Sequence, residues 1–215
     1  MNIRIASSIM IVITAVILIF TLNGTAYADD AVAYGTPQVF KMTFMGFYMH
    51  ESSAGDEDFI TIRERTDAVE IDLANADAGT IAQTLTGTQS PPPGHYDSTE
   101  YEVSATFTYQ GAILYDEDIY YTISGGAEET DAYATLDEFY LNPPVDYAER
   151  TYTIPGYTDD IIEGEQDEDL TVGAEGTYDE NLYVDLSQAM ELVWTGPSGG
   201  WQVFPGEPQI SGDPL

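Results

Sequence analysis

Between residues 101 and 109 the chain alternates without a break: Tyr101, Val103, Ala105, Phe107 and Tyr109 on one parity, Glu102, Ser104, Thr106 and Thr108 on the other. Successive side chains of an extended backbone point to opposite faces, so this segment predicts a strand with one buried and one wet face. No long 3.6-residue stripe and no heptad run occurs, which sets helical bundles and coiled coils aside. The rest repeats the strand signal in shorter pieces, broken by Gly, Pro, Asn and Asp. Residues 39–50 (VFKMTFMGFYMH) are apolar at both parities and predict a central strand covered on two sides. Residues 59–62, 68–73, 119–123, 151–154, 182–186, 191–194 and 201–204 are further strand candidates, and 208–211 suits a short edge. The single helical expectation is 77–86, where Ile81 and Leu85 share a face. Many short strands with Gly/Pro turns point to one all-β antiparallel sandwich.

Residues 1–28 read as an address. Arg4 precedes an apolar run at 9–22, and Ala26 and Ala28 suit a signal peptidase, with cleavage before Asp29. The run is short for spanning about 30 Å of hydrocarbon, though a retained anchor is the other reading. A short lead at 29–36 then precedes a sandwich domain at 37–211. That domain is expected to contain an irregular insertion around 125–150 and an exposed acidic loop around 156–169.

Charge narrows the function classes. The chain carries 38 acidic and five basic side chains, for a formal charge of −33. Nucleic-acid binding needs clustered Lys and Arg, which are absent, and an anionic lipid surface would repel the chain. Without cysteine, disulfides, thiolate zinc sites, Fe–S clusters and cysteine nucleophiles are ruled out. Hydrophobic residues at 43 % and aromatics at 12 % still supply a core. So acidic a surface is expected in a saline or extracellular setting, where salt screens the repulsion.

The order of segments also carries a resemblance. An apolar strand ending in a polar turn at 39–51 is followed by FITI at 59–62 and VEIDL at 69–73. Then come Gly79, Ile81 and Leu85, the turn Pro93-Gly94-His95-Tyr96, Ile154-Pro155-Gly156, LYVDL at 182–186 and WQVFPGEP at 201–208. Over about residues 37–210 this resembles the domain-of-unknown-function family 4382 of exported bacterial and archaeal proteins and lipoproteins. Its members carry a "vDLl … lpaGxY … ltlDfd … P" pattern. The resemblance implies a transthyretin-like (prealbumin-like) Greek-key sandwich and export, and it implies no activity. Pro93, Gly94 and Tyr96 form its fold-defining turn: Pro presets φ, Gly permits the bend, and Tyr packs its ring while its hydroxyl finds a polar group. The chain departs from the pattern in lacking a lipid-attachment cysteine, and 112–150 looks like an insertion.

Candidate chemistry is sparse. His50 and His95 are the two histidines, each expected at a solvent edge, and no Gly-x-Ser-x-Gly elbow accompanies them. Met42, Met45, Met49 and His50 offer soft copper(I) ligands, but regular alternation separates them unless a bulge forms at Gly46. Core packing is the plainer role for the methionines. The acid runs around Asp116 and Asp118 and around Asp167 and Asp169 read as solvated loops, with a weak structural Ca²⁺ as the alternative. Trp194 and Trp201 flank TGPSGG and suit either a core hairpin or a ligand platform.

The expectation is therefore a non-catalytic cell-envelope or extracellular β-sandwich protein, a binding module for carbohydrate or a protein partner. It takes no cofactor and no nucleic acid and has no membrane span after signal cleavage. The alternatives are a structural or adhesive surface subunit assembling through edge strands, and a periplasmic metal-binding protein.

Overall fold

The computed structural model describes residues 31–51, 59–76, 92–173, 180–206 and 208–214. The expected signal peptide and the expected helix at 77–86 lie outside these residues. In chain order the first strands are β1 (Ala31–Gly35), β2 (Val39–Glu51), β3 (Phe59–Arg63), β4 (Val69–Asp72), β5 (Gly94–Ser104) and β6 (Thr106–Gln110). Then come β7 (Ala112–Tyr115), β8 (Asp118–Ile123), β9 (Gly126–Thr130), helix α1 (Leu136–Leu141), β10 (Arg150–Thr153) and β11 (Ile161–Val172). The last four are β12 (Glu180–Asp185), β13 (Met190–Trp194), β14 (Trp201–Pro205) and β15 (Gln209–Pro214). The fold is all-β, with antiparallel sheets packed around a shared core.

The largest sheet holds seven strands, linked in the order β10-β6-β2-β5-β11, with β3 and β4 also paired to β2. Its registers reduce this to four rows. Lys41 pairs with Asp72 of β4 and with Thr108 of β6, and Phe44 pairs with Val69 of β4 and Val103 of β5. A strand has only two edges, so β5 and β6 run along one side of β2 and β3 and β4 along the other. The alternating segment 101–109 is thus one row, interrupted at Ala105. There the backbone bonds to Ile154 N and Asp160 O, which flank the matching interruption between β10 and β11. As the alternation predicts, Tyr101, Val103, Ala105, Phe107 and Tyr109 are all buried.

β2 corrects the two-sided reading of 39–50. Phe40, Met42 and Phe44 are buried, then Phe47 and Met49, while Met45, Tyr48 and His50 are only half-buried. The register slips between Phe44 and Gly46, so a β-bulge shifts the buried parity from even to odd. The run is apolar at both parities because the phase changes partway along. One face is core throughout.

Three further expectations are revised. The acidic loop at 156–169 is instead mostly strand: β11 pairs with β5 from Ile161 to Val172. Acids depress intrinsic strand preference, but a row along one partner at a sheet edge tolerates charge, and the ladder overrides composition. The irregular insertion around 125–150 contains β9 and α1, capped where the Thr135 side chain accepts from Glu138 N. The lead at 29–36 includes β1, which pairs with β13 and so belongs to the domain.

The second layer is built from β1-β13-β14 and β7-β8-β9. Its Ile113, Tyr120, Met190, Leu192 and Val203 join Phe40, Met42, Val103, Phe107 and Tyr109 in one core. Polar stitches join the layers: the Tyr109 hydroxyl donates to Val203 O at 2.8 Å, and buried Arg150 donates to the same carbonyl. The Arg150 guanidinium lies 5.7 Å and 5.2 Å from the Tyr152 and Phe204 ring centroids, a cation held by π faces. On the far side of β7–β8, Phe139 of α1 packs with Ala112, Ile119 and Tyr121 in a smaller cluster.

The β7–β8 hairpin turns through Asp116 (φ 50°) and Glu117 (φ 75°), a two-residue turn with both residues left-handed. Such turns match strand twist but favour Asn-Gly, because a Cβ in that region costs about 1–2 kcal/mol. Glu117→Gly is therefore expected to raise unfolding free energy by about 1 kcal/mol in urea denaturation. A neutral or destabilising effect would show that Glu117 is not strained.

Candidate functional site

The β13–β14 hairpin brings Trp194 directly opposite Trp201. Its connection closes tightly: Thr195 N donates to Gly200 O at 2.9 Å, and Gly196 (φ 96°) and Gly200 (φ 64°) take conformations that disfavour other residues. The two indoles meet at 5.2 Å and 62°. Trp201 also lies 5.6 Å from both Tyr115 and Tyr120, whose own centroids are 6.5 Å apart. Four rings from two neighbouring sheets therefore form one cluster. Its inner part packs on the core through Tyr120 and Trp201, while Trp194 is 48 % exposed.

Carboxylates border this cluster. Asp118 pairs with Tyr115 in the β7–β8 ladder, and Glu129 pairs with Tyr120 in β8–β9. Burial pushes the Tyr120 phenol up to about 12, and the nearby charges of Glu129, Asp118 and Asp116 add to that shift. Tyr115, Tyr120 and Glu129 were not singled out from the sequence. The available signal was the strand candidate at 119–123, whose partners across the ladder no linear pattern reveals.

A second polar cluster lies on the outer face of the large sheet. Glu102 is buried, and Arg65 donates to both its oxygens, from Nε to Oε2 at 2.6 Å and from Nη2 to Oε1 at 2.5 Å. The Tyr48 hydroxyl donates to Glu102 Oε2 at 3.2 Å, and Arg65 Nη2 also reaches Glu163 Oε1 at 3.2 Å. Gly46 stands opposite Glu102 in the ladder, and this is the position where the bulge forms. A Cβ there would lie 2.5 Å from Glu102 Oε2 and 2.7 Å from the Tyr48 hydroxyl. The bulge therefore makes room for a fork-to-fork ion pair that fastens the short 3₁₀ turn at Arg65–Asp67 to the sheet.

The other sequence candidates are placed as follows. Tyr96 is fully buried, and its hydroxyl donates to Pro92 O at 2.7 Å, with Gly94 opening β5 beside Pro93. The Tyr96 ring is inside and its hydroxyl turns back to the chain, while Gly94 takes no left-handed φ. His95 is exposed with Nδ1 3.2 Å from Thr171 Oγ1. His50 departs from the solvent-edge expectation: its side chain is 12 % exposed, 2.5 Å from Asp97 Oδ1 and 5.4 Å from the Phe59 centroid. The bulge puts Met42 and Met49 on the core face, whereas His50 belongs to the opposite one. Asp116 and Asp118 lie at the β7–β8 turn and Asp167 and Asp169 along β11, in separate sheets. Among the described residues no group of three or more His, Asp or Glu is arranged to hold a metal ion. Nor is any helix among them long and apolar enough to cross a membrane.

The chain matches no protein-family model, no curated protein and no solved structure.

Proposed function

We propose that this chain is an exported, non-catalytic binding protein of the cell envelope or extracellular space, and that a carbohydrate seats on the aromatic surface at Trp194 and Trp201. The observation that carries the reading is the four-ring cluster ending in a half-exposed indole. Pyranose rings present flat C–H faces to such side chains, and a tryptophan left in water at a hairpin end gives up burial it would otherwise gain. Export is inferred from residues 1–28, and the transthyretin-like relationship from the motifs at 93–96, 182–186 and 201–208.

Assembly through edge strands is the weaker reading. β11 ends the path of the large sheet and carries Glu163, Glu165, Asp167, Glu168 and Asp169, a charge density that opposes pairing with another copy.

A glycan array followed by calorimetry with Trp194→Ala tests the proposal. The expected result is a glycan signal weakened about tenfold or more by the substitution, a loss of about 1.4 kcal/mol. No glycan signal, or one indifferent to Trp194, would remove the carbohydrate reading.

A further inference from the structure

The same surface holds information about which sugars it takes. The rings of Trp194, Trp201, Tyr115 and Tyr120 form a continuous aromatic cluster. Asp118 of β8 and Glu129 of β9 come to it as ladder partners of Tyr115 and Tyr120. Glu129 is exposed and Asp118 half-exposed. Neither is described in an ion pair with a basic side chain: the salt bridges among the described residues involve Lys41, His50 and Arg65, all elsewhere. An aromatic platform bordered by carboxylates has two complementary demands. The rings call for an apolar face, and they also attract cations through their quadrupoles. The acids call for positive charge with N–H donors.

We infer that the preferred ligand is a cationic amino-sugar oligomer, such as β-1,4-linked glucosamine, whose pyranose face lies on Trp194 and Trp201 while its ammonium groups meet Asp118 and Glu129. The inference rests on the carbohydrate reading above and specifies its ligand class. It follows from charge complementarity: a free 2-amino group on the ring supplies a cation a short distance from the stacked face, and N-acetylation removes that charge while leaving the ring intact. A neutral glycan satisfies the indoles alone. An acidic glycan is repelled both by the two local carboxylates and by a chain of formal charge −33.

The experiment compares a glucosamine oligomer with its fully N-acetylated counterpart by isothermal titration, at about pH 6 and moderate salt, on four forms of the protein. These are the unmodified chain, Trp194→Ala, the double variant Asp118→Asn/Glu129→Gln, and a charge-matched control, Glu70→Gln/Asp137→Asn. Glu70 and Asp137 are exposed on β4 and α1. The glucosamine oligomer is expected to bind about tenfold more tightly than the acetylated one. The Asp118/Glu129 variant should abolish that difference without weakening the acetylated ligand, the control should retain it, and Trp194→Ala should weaken both. Equal affinity for the two oligomers, or a preference for the acetylated one, overturns the inference and leaves the carbohydrate reading standing. A glucosamine preference that the control removes as fully as the double variant also overturns it, because bulk attraction then explains the effect. Binding of neither oligomer overturns this inference, and an empty glycan array as well would overturn the broader reading.

Discussion

Titration from pH 9 to pH 12 is expected to unfold the domain in one cooperative step, with most of its tyrosinate absorbance appearing in that step. The cause is the number of phenols held in the packed interior. Tyr109 is fully buried with its hydroxyl on Val203 O, and burial raises it well above the usual tyrosine value of 10. Burial likewise pushes Tyr120 and Tyr121 up to about 12 and raises Tyr147 and Tyr140. In each case the folded chain keeps a proton that the unfolded chain releases near pH 10. The associated stability is therefore fully present below pH 10 and is lost as pH rises towards the folded values. Tyr109 alone removes about 1.4 kcal/mol per pH unit across that window. The others lie nearer water and each remove a fraction of that amount. Together they remove several kcal/mol from a domain whose class is stable by about 5–15 kcal/mol. Absorbance near 295 nm and far-UV circular dichroism, followed together, check the result. Smooth phenol ionisation centred near pH 10 with unchanged dichroism would contradict it. Tyr109→Phe should flatten the alkaline slope by about 1.4 kcal/mol per pH unit while costing about 1 kcal/mol at neutral pH for the lost hydrogen bond.

Gly46→Ala is expected to destabilise the domain by about 1 kcal/mol or more. The added methyl falls at 2.5 Å from Glu102 Oε2 and within 2.8 Å of the Tyr48 ring. These are side-chain ends and would move readily if free. Here, moving them pulls the buried Glu102 carboxylate off the half-exposed Arg65 guanidinium that holds both its oxygens, so the shift is resisted by the hydrogen bonds it breaks. Urea denaturation of Gly46→Ala and of Gly46→Ala/Glu102→Ala separates the causes. Once the carboxylate is absent, the glycine substitution should add much less. A change below about 0.5 kcal/mol for Gly46→Ala alone would mean that the bulge accommodates a side chain and that the ion pair does not depend on it.

What the sequence revealed depended on how locally each element is specified. The row from Tyr101 to Tyr109 was legible because its alternation runs unbroken and one face is core along its whole length. Residues 182–186, 191–194 and 201–204 were legible as short strand-forming runs bounded by turn residues. β2 was found, but its faces were misread: the single extra residue near Gly46 changes parity, and only the partner strand reveals where. β11 was hidden because its acids resemble a loop in isolation and become a strand through their ladder to β5. Trp194 and Trp201 stood out as rare large residues around a glycine-rich turn. Tyr115, Tyr120 and Glu129 did not, since their approach to Trp201 depends on how two sheets pack. The Arg65–Glu102 pair joins residues 37 positions apart, beyond the reach of any local pattern.

The pairing of β1 with β13 has a temporal meaning. The first described strand takes its ladder partner from a hairpin that begins at Met190, so a chain emerging from the ribosome in order cannot complete this layer until that hairpin has been made. Until then β1 lacks the strand it pairs with in the order β1-β13-β14. Closure of that layer then ties together segments far apart along the chain.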